Sequence, residues 1–239
     1  MPGYYFDFTY ILVIIGALLC TWASSKVKST YAKYERVRSR SGMTGAEAAA
    51  RILHMSGIND VQIQHVSGDL TDHYDPKKKV LRLSDTVYGS ASVAAIGVAA
   101  HECGHALQHK EGYGPLKLRA LLVPAANLGS KLGLPLVILG LALGLSFELP
   151  GGGYFSLAHI GIWVFSLAVL FQVVTLPVEF NASGRALRML GDYGIMNNDE
   201  VDDCKHVLGA AALTYIAAAA SSILQLLRLV FLSNRRRRD

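Results

Sequence analysis

The sequence predicts a mainly α-helical membrane protein, with multipass membrane helices and a small cytoplasmic α+β domain that carries a short sheet. Hydrophobic residues make up 51% of the 239 residues, and they are concentrated in long runs. A polar region lies between the first two runs and contains both an alternating strand pattern and an alanine-rich helix pattern. Long apolar runs indicate helices in lipid, and the mixed periodicities indicate a compact domain in water.

Three apolar runs have the length of membrane helices, and they cover residues 4–24, 120–149 and 157–178. A helix needs about 20 apolar residues to cross a bilayer. One such run could be a buried helix of a soluble protein, but three in a chain of this length favour a multipass membrane protein. The first run is too long for the core of a signal peptide and leads directly into basic residues, so we expect an uncleaved anchor.

A fourth apolar run, residues 207–232, is interrupted by Arg228 and followed by a basic tail at residues 233–239. Lys and Arg residues follow the first span but none precedes it, so the positive-inside rule places its C-terminal end in the cytoplasm. A fourth crossing would then place the arginine-rich tail outside, against the same rule. The run is therefore either a transmembrane helix or a helix packed on the cytoplasmic domain, and the charge pattern favours the second alternative.

The first polar region, residues 25–118, contains local signals for a helix and two strands. Thr44 and Glu47 have the spacing of a capping box at the start of a helix. Residues 61–66 alternate between apolar and polar side chains and predict a strand, and residues 80–83 predict a second short strand that pairs with it. An alanine-rich run without proline then predicts a buried helix over residues 91–109.

The segment between the two predicted strands is interpreted as a loop. His73 and Asp75 stand just before Pro76, where side chains more often serve turn hydrogen bonds than bind a metal. The strand that precedes the helix at residues 91–109 could also bind substrate. Its free edge can hold an extended peptide by strand addition.

That helix contains the pattern His101-Glu102-Cys103-Gly104-His105. Positions i and i+4 of a helix share a face, so His101 and His105 can offer two imidazole nitrogens to one zinc ion. Glu102 lies one step round the helix, where it can take a proton from water at an open coordination position. Cys103 points to the opposite face and is expected to pack in the core. The alternative is a helix with two ordinary histidines, which would be costly to bury without partners.

A catalytic zinc site requires a third protein ligand. The second polar segment, residues 179–206, offers several candidates: Glu179, Asp192, Asp199, Glu200, Asp202, Asp203 and His206. Glu179 stands out because it ends an apolar span and opens a helix-like run, with Pro177 suited to that helix's first turn. From spacing alone, an interfacial glutamate that caps a helix is an equally good interpretation.

Charge and cysteine content exclude several other classes of protein. The net charge of +5 lies largely in clusters that flank the apolar runs, where contact with anionic lipid headgroups explains it. No nucleic-acid-binding module is recognisable. Three cysteines give no disulfide framework, which fits a reducing cytoplasmic face. The sequence predicts no particular oligomeric state.

The motif at residues 101–105, with Leu70–Pro76 before it and Leu176–Ser183 after it, resembles the YugP-type membrane zinc metallopeptidases. The resemblance covers nearly the whole chain, including the segments at residues 42–45 and 212–215. That family is distantly similar to the gluzincin proteases of the HtpX and CAAX-prenyl-protease kind. The resemblance implies a zincin-like domain and Zn²⁺ at one ion per chain, with Glu179 as the third ligand. The distant relatives carry an aspartate that orients a ligand histidine where this chain has Ser183.

The resemblance implies a zinc metalloendopeptidase of the plasma (inner) membrane, whose active site faces the cytoplasm and hydrolyses peptide bonds with zinc-activated water. Its substrates would be proteins or peptides, including membrane proteins. Tyr215 is the preferred donor to the oxyanion because its segment is shared with the family, although His206 and Arg185 could also serve. One alternative is a non-catalytic membrane scaffold with a structural metal site. Another is hydrolysis of a lipid-linked amide.

Overall fold

The structure is a computed structural model that describes residues 7–148 and 154–235. It is mainly helical and carries two small sheets within the described residues, which confirms the predicted fold class. The helices are α1 (Tyr10–Tyr34), α2 (Gly45–Met55), α3 (Asp85–Tyr88), α4 (Val93–Lys110), α5 (Gly114–Leu143), α6 (Leu157–Asp192) and α7 (Asn198–Arg235). The strands are β1 (Gln62–His65), β2 (His73–Asp75), β3 (Val80–Leu83), β4 (Ser146–Glu148) and β5 (Tyr154–Ser156).

The chain divides into two compact units, which are described separately. The apolar unit comprises the described residues within 1–22, 118–175 and 215–239. The mixed unit comprises residues 23–117 and 176–214. Four helices, α1, α5, α6 and α7, are long and apolar enough to cross a membrane. Each of them supplies residues to the apolar unit, and the three-stranded sheet lies in the mixed unit.

Helices pack closely in the apolar unit where small residues meet. Gly140 of α5 lies so near Ala158 of α6 that an added Cβ would overlap the alanine backbone. Gly16 of α1 lies close to Ser221 of α7, where an added Cβ would be 2.6 Å from the serine Oγ. Small residues at such crossings let two backbones approach, which is how helices associate without a hydrophobic driving force in lipid.

The helices that contain the predicted spans have different bounds in the structure, and two of the differences concern the chain near Glu179 and β4. The run predicted to be helical to residue 149 stops at Leu143, because Gly144 adopts a left-handed φ of 64° and the chain then enters β4. The helix that contains the predicted span of residues 157–178 continues beyond that span. Helix α6 runs unbroken from Leu157 to Asp192 with Pro177 inside it, so Glu179 does not open a new helix as expected. Loss of one backbone donor at proline is tolerated because the turns on both sides continue to pack.

The three-stranded sheet of the mixed unit has the order β1–β3–β2. Both strands predicted from the sequence are present, and they pair in parallel, with Ile63 opposite Leu81. Strand β2 replaces the predicted loop at His73–Asp75, because three residues are too few to show an alternating pattern. Since β3 is central, the strand just before α4 has no free edge in the described sheet, and that expectation was wrong. The free edges belong to β1 and β2.

The core of the mixed unit forms where α4 packs on α2 and on the sheet. Helix α4 is rich in alanine, so its backbone lies close to the fully buried side chains of Ile52, Leu81 and Leu83. The predicted capping box begins α2. Thr44 Oγ1 accepts a hydrogen bond from the Glu47 amide at 3.2 Å, and Glu47 Oε2 accepts one from the Thr44 amide at 2.8 Å.

Candidate metal centre

Helices α4 and α6 supply the side chains of the candidate metal centre. His101 and His105 lie one turn apart on α4, as their spacing predicts, with ring centroids 4.7 Å apart. Gly104 lies between them against α6, where an added Cβ would be 2.5 Å from the carbonyl oxygen of Ala182. Glycine at this position of the motif therefore lets the backbones of α4 and α6 approach closely. The close approach brings the histidines of one helix to the carboxylate of the other.

Three side chains converge on one point. The Nε2 atoms of His101 and His105 lie 3.3 and 3.5 Å from one carboxylate oxygen, Oε2 of Glu179. All three ligand atoms lie within 4.8 Å of one another. Ligands about 2.1 Å from a tetrahedral zinc ion lie about 3.4 Å from each other, so the two separations from Glu179 fit zinc. Two imidazoles and a carboxylate are also a donor set that catalytic zinc sites use.

The site is buried, and its charges favour a cation. Glu179 is 2% exposed, and each imidazole is largely covered. Burial by itself lowers the pKa of the His105 imidazole, but the hydrogen bond to Glu179 and the nearby Glu102 carboxylate outweigh burial and raise this pKa above its usual value. A positive charge is thus stabilised between these groups, and a divalent cation would supply one.

A buried amide contacts His105 on Nδ1, the ring nitrogen that does not face Glu179. Gln108, one turn further along α4, has its Oε1 3.0 Å from the Nδ1 atom of His105. Its Nε2 donates to the carbonyl oxygen of Val178 at 2.8 Å and to Oδ1 of Asn181 at 3.0 Å. Such outer contacts to a ligand histidine orient its ring and fix which nitrogen faces the metal.

Ser183 supports His101. Its hydroxyl lies 3.1 Å from the Nδ1 atom of His101, so the serine that stands in place of the relatives' aspartate still reaches the ligand ring. A hydroxyl can donate or accept, and it carries no charge. The contact therefore orients the His101 ring without adding the negative charge that a carboxylate would bring.

Arg185 belongs to the same hydrogen-bonded network. Its Nε donates to Oδ1 of Asn181 at 2.7 Å, and its Nη1 lies 2.6 Å from Oε2 of Glu111. The guanidinium also lies near the Tyr113 ring. These contacts engage Arg185 behind the ligands, so it supports their positions and is a poorer choice for the oxyanion donor than the sequence suggested.

The two other side chains of the motif, Glu102 and Cys103, are both buried on α4. Glu102 is buried on α4 next to His101. Cys103 is buried on the core side, where its Sγ lies 3.7 Å from the carbonyl oxygen of Ala49, so the prediction that it packs in the core is confirmed. Burial raises the pKa of the Cys103 thiol well above its usual value, which keeps it protonated and unsuited to bind a metal.

The other candidate residues lie elsewhere. Tyr215 is on α7 and belongs to the apolar unit, so its role as oxyanion donor stays a prediction. His206 stacks on Tyr34 within the mixed unit, with ring centroids 6.2 Å apart. His73 lies on β2, with its Nε2 3.2 Å from Arg82 and its Nδ1 2.9 Å from the Thr71 carbonyl oxygen. These contacts account for the histidine without a metal.

Two residues that contact the candidate ligands or their neighbours, Gln108 and Asn181, are not among the residues predicted from the sequence. A signal for the first was present, because a glutamine three residues after His105 shares its helical face and is a polar residue in a helix predicted to be buried. No comparable signal marks Asn181, because its role depends on which face of α6 meets α4.

The chain is similar to proteins described as zinc metallopeptidases and membrane proteases. Residues 9–234 match a protein family described as "Putative neutral zinc metallopeptidase". The chain is also 49% identical over 229 residues to the "Putative membrane protease YugP" of Bacillus subtilis (strain 168), covering 95% of this chain and 98% of the relative. No solved structure matches the chain.

Proposed function

Because this chain belongs to the neutral zinc metallopeptidase family, we propose that it is a membrane-bound metalloendopeptidase that holds one zinc ion between His101, His105 and Glu179. The observation that carries the proposal is the convergence of three ligand atoms, with both histidine nitrogens at a distance from the Glu179 oxygen that suits tetrahedral zinc. Within residues 7–148 and 154–235 the cluster has three members, and three protein ligands leave a coordination position open for chemistry. A structural site would be expected to have four, which disfavours the scaffold alternative.

Glu102 is the proposed general base. When bound, zinc would supply Lewis acidity that polarises the substrate carbonyl and makes water easier to deprotonate. Glu102 follows His101 directly on α4, and its carboxylate would accept the proton of the attacking water and pass it to the leaving amine. Tyr215 is the candidate for hydrogen bonding to the oxyanion. The substrates would be unfolded proteins or peptides, including segments of membrane proteins.

A variant series tests these roles. Glu102→Gln is expected to lower cleavage of an unfolded protein such as casein by about 10²- to 10⁴-fold, because the general base is lost. Its zinc content, measured by mass spectrometry on purified protein in detergent, should stay at one ion per chain. Glu179→Ala should lose zinc together with activity. The matched control is Glu35→Gln, which alters an exposed glutamate of the mixed unit. It should change neither the zinc content nor the rate of casein cleavage.

Two results would contradict the proposal. Normal cleavage by Glu102→Gln would rule out Glu102 as the general base, and stoichiometric zinc in Glu179→Ala would rule out Glu179 as the third ligand. If the purified wild-type protein binds zinc but cleaves no peptide bond, the scaffold alternative gains support.

The proposed orientation places the metal centre at the cytoplasmic face of the plasma membrane. Basic residues cluster after the first apolar run, which favours that side. In the apolar unit α1 and α7 run antiparallel, because Gly16 meets Ser221 and Asp7 pairs with Arg228 at 3.3 Å. A helix that accompanies α1 in this way would cross the membrane with it. Pairing with Asp7 also compensates the charge of Arg228, which interrupts the apolar run, although the arginine-rich tail would still lie outside, against the positive-inside rule.

Cysteine labelling tests this orientation. Asn234→Cys, at the end of α7, should react with a membrane-impermeant maleimide on intact cells. Ser29→Cys is the matched control. It lies at an exposed position near the C-terminal end of α1 and should react only after lysis. The reverse pattern would place the metal centre outside, and labelling of both only after lysis would mean that α7 does not cross.

A further inference from the structure

We infer that Gln108 is a positioning residue of the metal centre that fixes the tautomer of His105 and ties α6 to α4 beside Glu179. The inference rests on the proposed function, since it assigns Gln108 a role toward the same zinc ion. Gln108 is 0% exposed, although glutamine is usually at the surface. A polar side chain buried this completely must satisfy its amide, and its three hydrogen-bond partners lie on both ligand-bearing helices.

The partners determine which way the amide points. The carbonyl oxygen of Val178 can only accept a hydrogen bond, so the Gln108 nitrogen must face it. The Gln108 oxygen is then left to face the Nδ1 atom of His105 at 3.0 Å, and an oxygen there can only accept. His105 must therefore carry its proton on Nδ1. The Nε2 atom, which faces Glu179, is then the nitrogen left to bind a metal.

The hydrogen bond from Gln108 to Asn181 has its direction set by Arg185, the next residue in the network. Arg185 has only donors, so its Nε requires that Asn181 present its oxygen rather than its nitrogen. That oxygen also accepts from the Gln108 nitrogen at 3.0 Å. Two independent groups, the Val178 carbonyl and the Arg185 guanidinium, thus impose the same orientation on Gln108. The carbonyl also belongs to the residue just before Glu179, so the amide holds that part of α6 in register.

The two ligand histidines differ in how strictly their neighbours determine which ring nitrogen carries the proton. Ser183 can donate to His101 or accept from it, so its hydroxyl is compatible with either tautomer of that ring. Gln108 is compatible with one tautomer of His105. Removing Gln108 should therefore affect zinc binding more than removing the Ser183 hydroxyl.

The test measures zinc affinity of the full-length protein in detergent by competition with a chromophoric chelator. Gln108→Leu should weaken zinc binding by about 10- to 100-fold, the range found for outer partners of metal ligands. Ser183→Ala should weaken it less. Thr44→Ala is the matched control, because it removes a helix cap of the same unit at a distance in sequence from the site and should leave zinc affinity unchanged.

A spectroscopic reading separates positioning from general destabilisation. In ¹⁵N-histidine-labelled, zinc-loaded protein, His105 should bind the metal through Nε2 with its proton on Nδ1, and Gln108→Leu should show a mixture of Nε2-bound and Nδ1-bound forms. Gln108→Glu keeps an acceptor for His105 but loses both donors to α6. It should therefore keep the Nδ1–H tautomer and still bind zinc more weakly, and it carries the test if Gln108→Leu does not fold.

Unchanged zinc affinity in Gln108→Leu, or in Gln108→Glu where that variant carries the test, would overturn the inference. So would an unchanged His105 tautomer in Gln108→Leu. These failures differ from a failure of the proposed function, in which the wild-type protein holds no stoichiometric zinc or Glu179→Ala binds it as tightly as wild type.

Discussion

The two units of the chain use glycine in the same way but to different ends. In the apolar unit, Gly140 of α5 meets the backbone of Ala158 in α6. In the mixed unit, Gly104 of α4 meets the carbonyl of Ala182 in the same helix α6. The first contact joins two apolar surfaces, whereas the second brings two imidazoles to a buried carboxylate. Close helix approach can therefore serve packing alone, or it can set the distances between metal ligands.

The comparison predicts its largest effect at Gly104. Gly104→Ala places a methyl group 2.5 Å from the Ala182 carbonyl oxygen, so α4 and α6 must move apart. A displacement of about 1 Å at a catalytic constellation lowers activity on the order of 100-fold. Zinc content and casein cleavage of the purified variant check this. Wild-type values for both would show that the two helices can separate without disturbing the ligands.

A smaller effect is expected from the matching change in the apolar unit. Gly140→Ala overpacks the contact with Ala158 and should lower stability by about 1–3 kcal/mol. Thermal unfolding in detergent measures this, at roughly 2–4 °C of Tm per kcal/mol for a chain of this size. Zinc affinity in the folded variant should equal that of wild type. A loss of zinc as large as that of Gly104→Ala would mean that the two contacts do not have separate roles.

The smallest effect is expected from the capping box of α2. Thr44→Ala removes the acceptor for the Glu47 amide and should lower stability by about 1 kcal/mol. The change lies in the mixed unit but outside the metal centre, so the decrease in Tm should come without a change in cleavage of the folded protein. A loss of activity at temperatures well below Tm would show that the whole unit, rather than the α4–α6 contact, controls the ligands.

Features that depend on neighbours in sequence were predicted well. The capping box, β1, β3 and the shared face of His101 and His105 each follow from the spacing of a few residues, and the structure contains them all. Local periodicity and side-chain hydrogen bonding are sufficient to specify such elements.

Features that depend on tertiary packing were predicted poorly. Spacing alone left Glu179 as either a ligand or a cap, and only the resemblance to a family favoured the ligand. Pro177 indicated a helix start, but packing on both sides keeps α6 continuous through it. Strand β2 forms because β3 offers an edge, not because its own three residues specify a strand. Asn181 matters only because of the face that α6 turns to α4.

The network behind His105 reaches solvent at one end, through the ion pair of Arg185 and Glu111. The Glu111 side chain is 49% exposed, whereas Arg185 is 14% exposed. Dissolved salt screens exposed charges strongly and buried groups much less. Rising ionic strength should therefore loosen only this outermost link, while the uncharged amide bonds of Gln108 and Asn181 keep their geometry. The ligand imidazole is in this way insulated from the ionic composition of the medium around the protein.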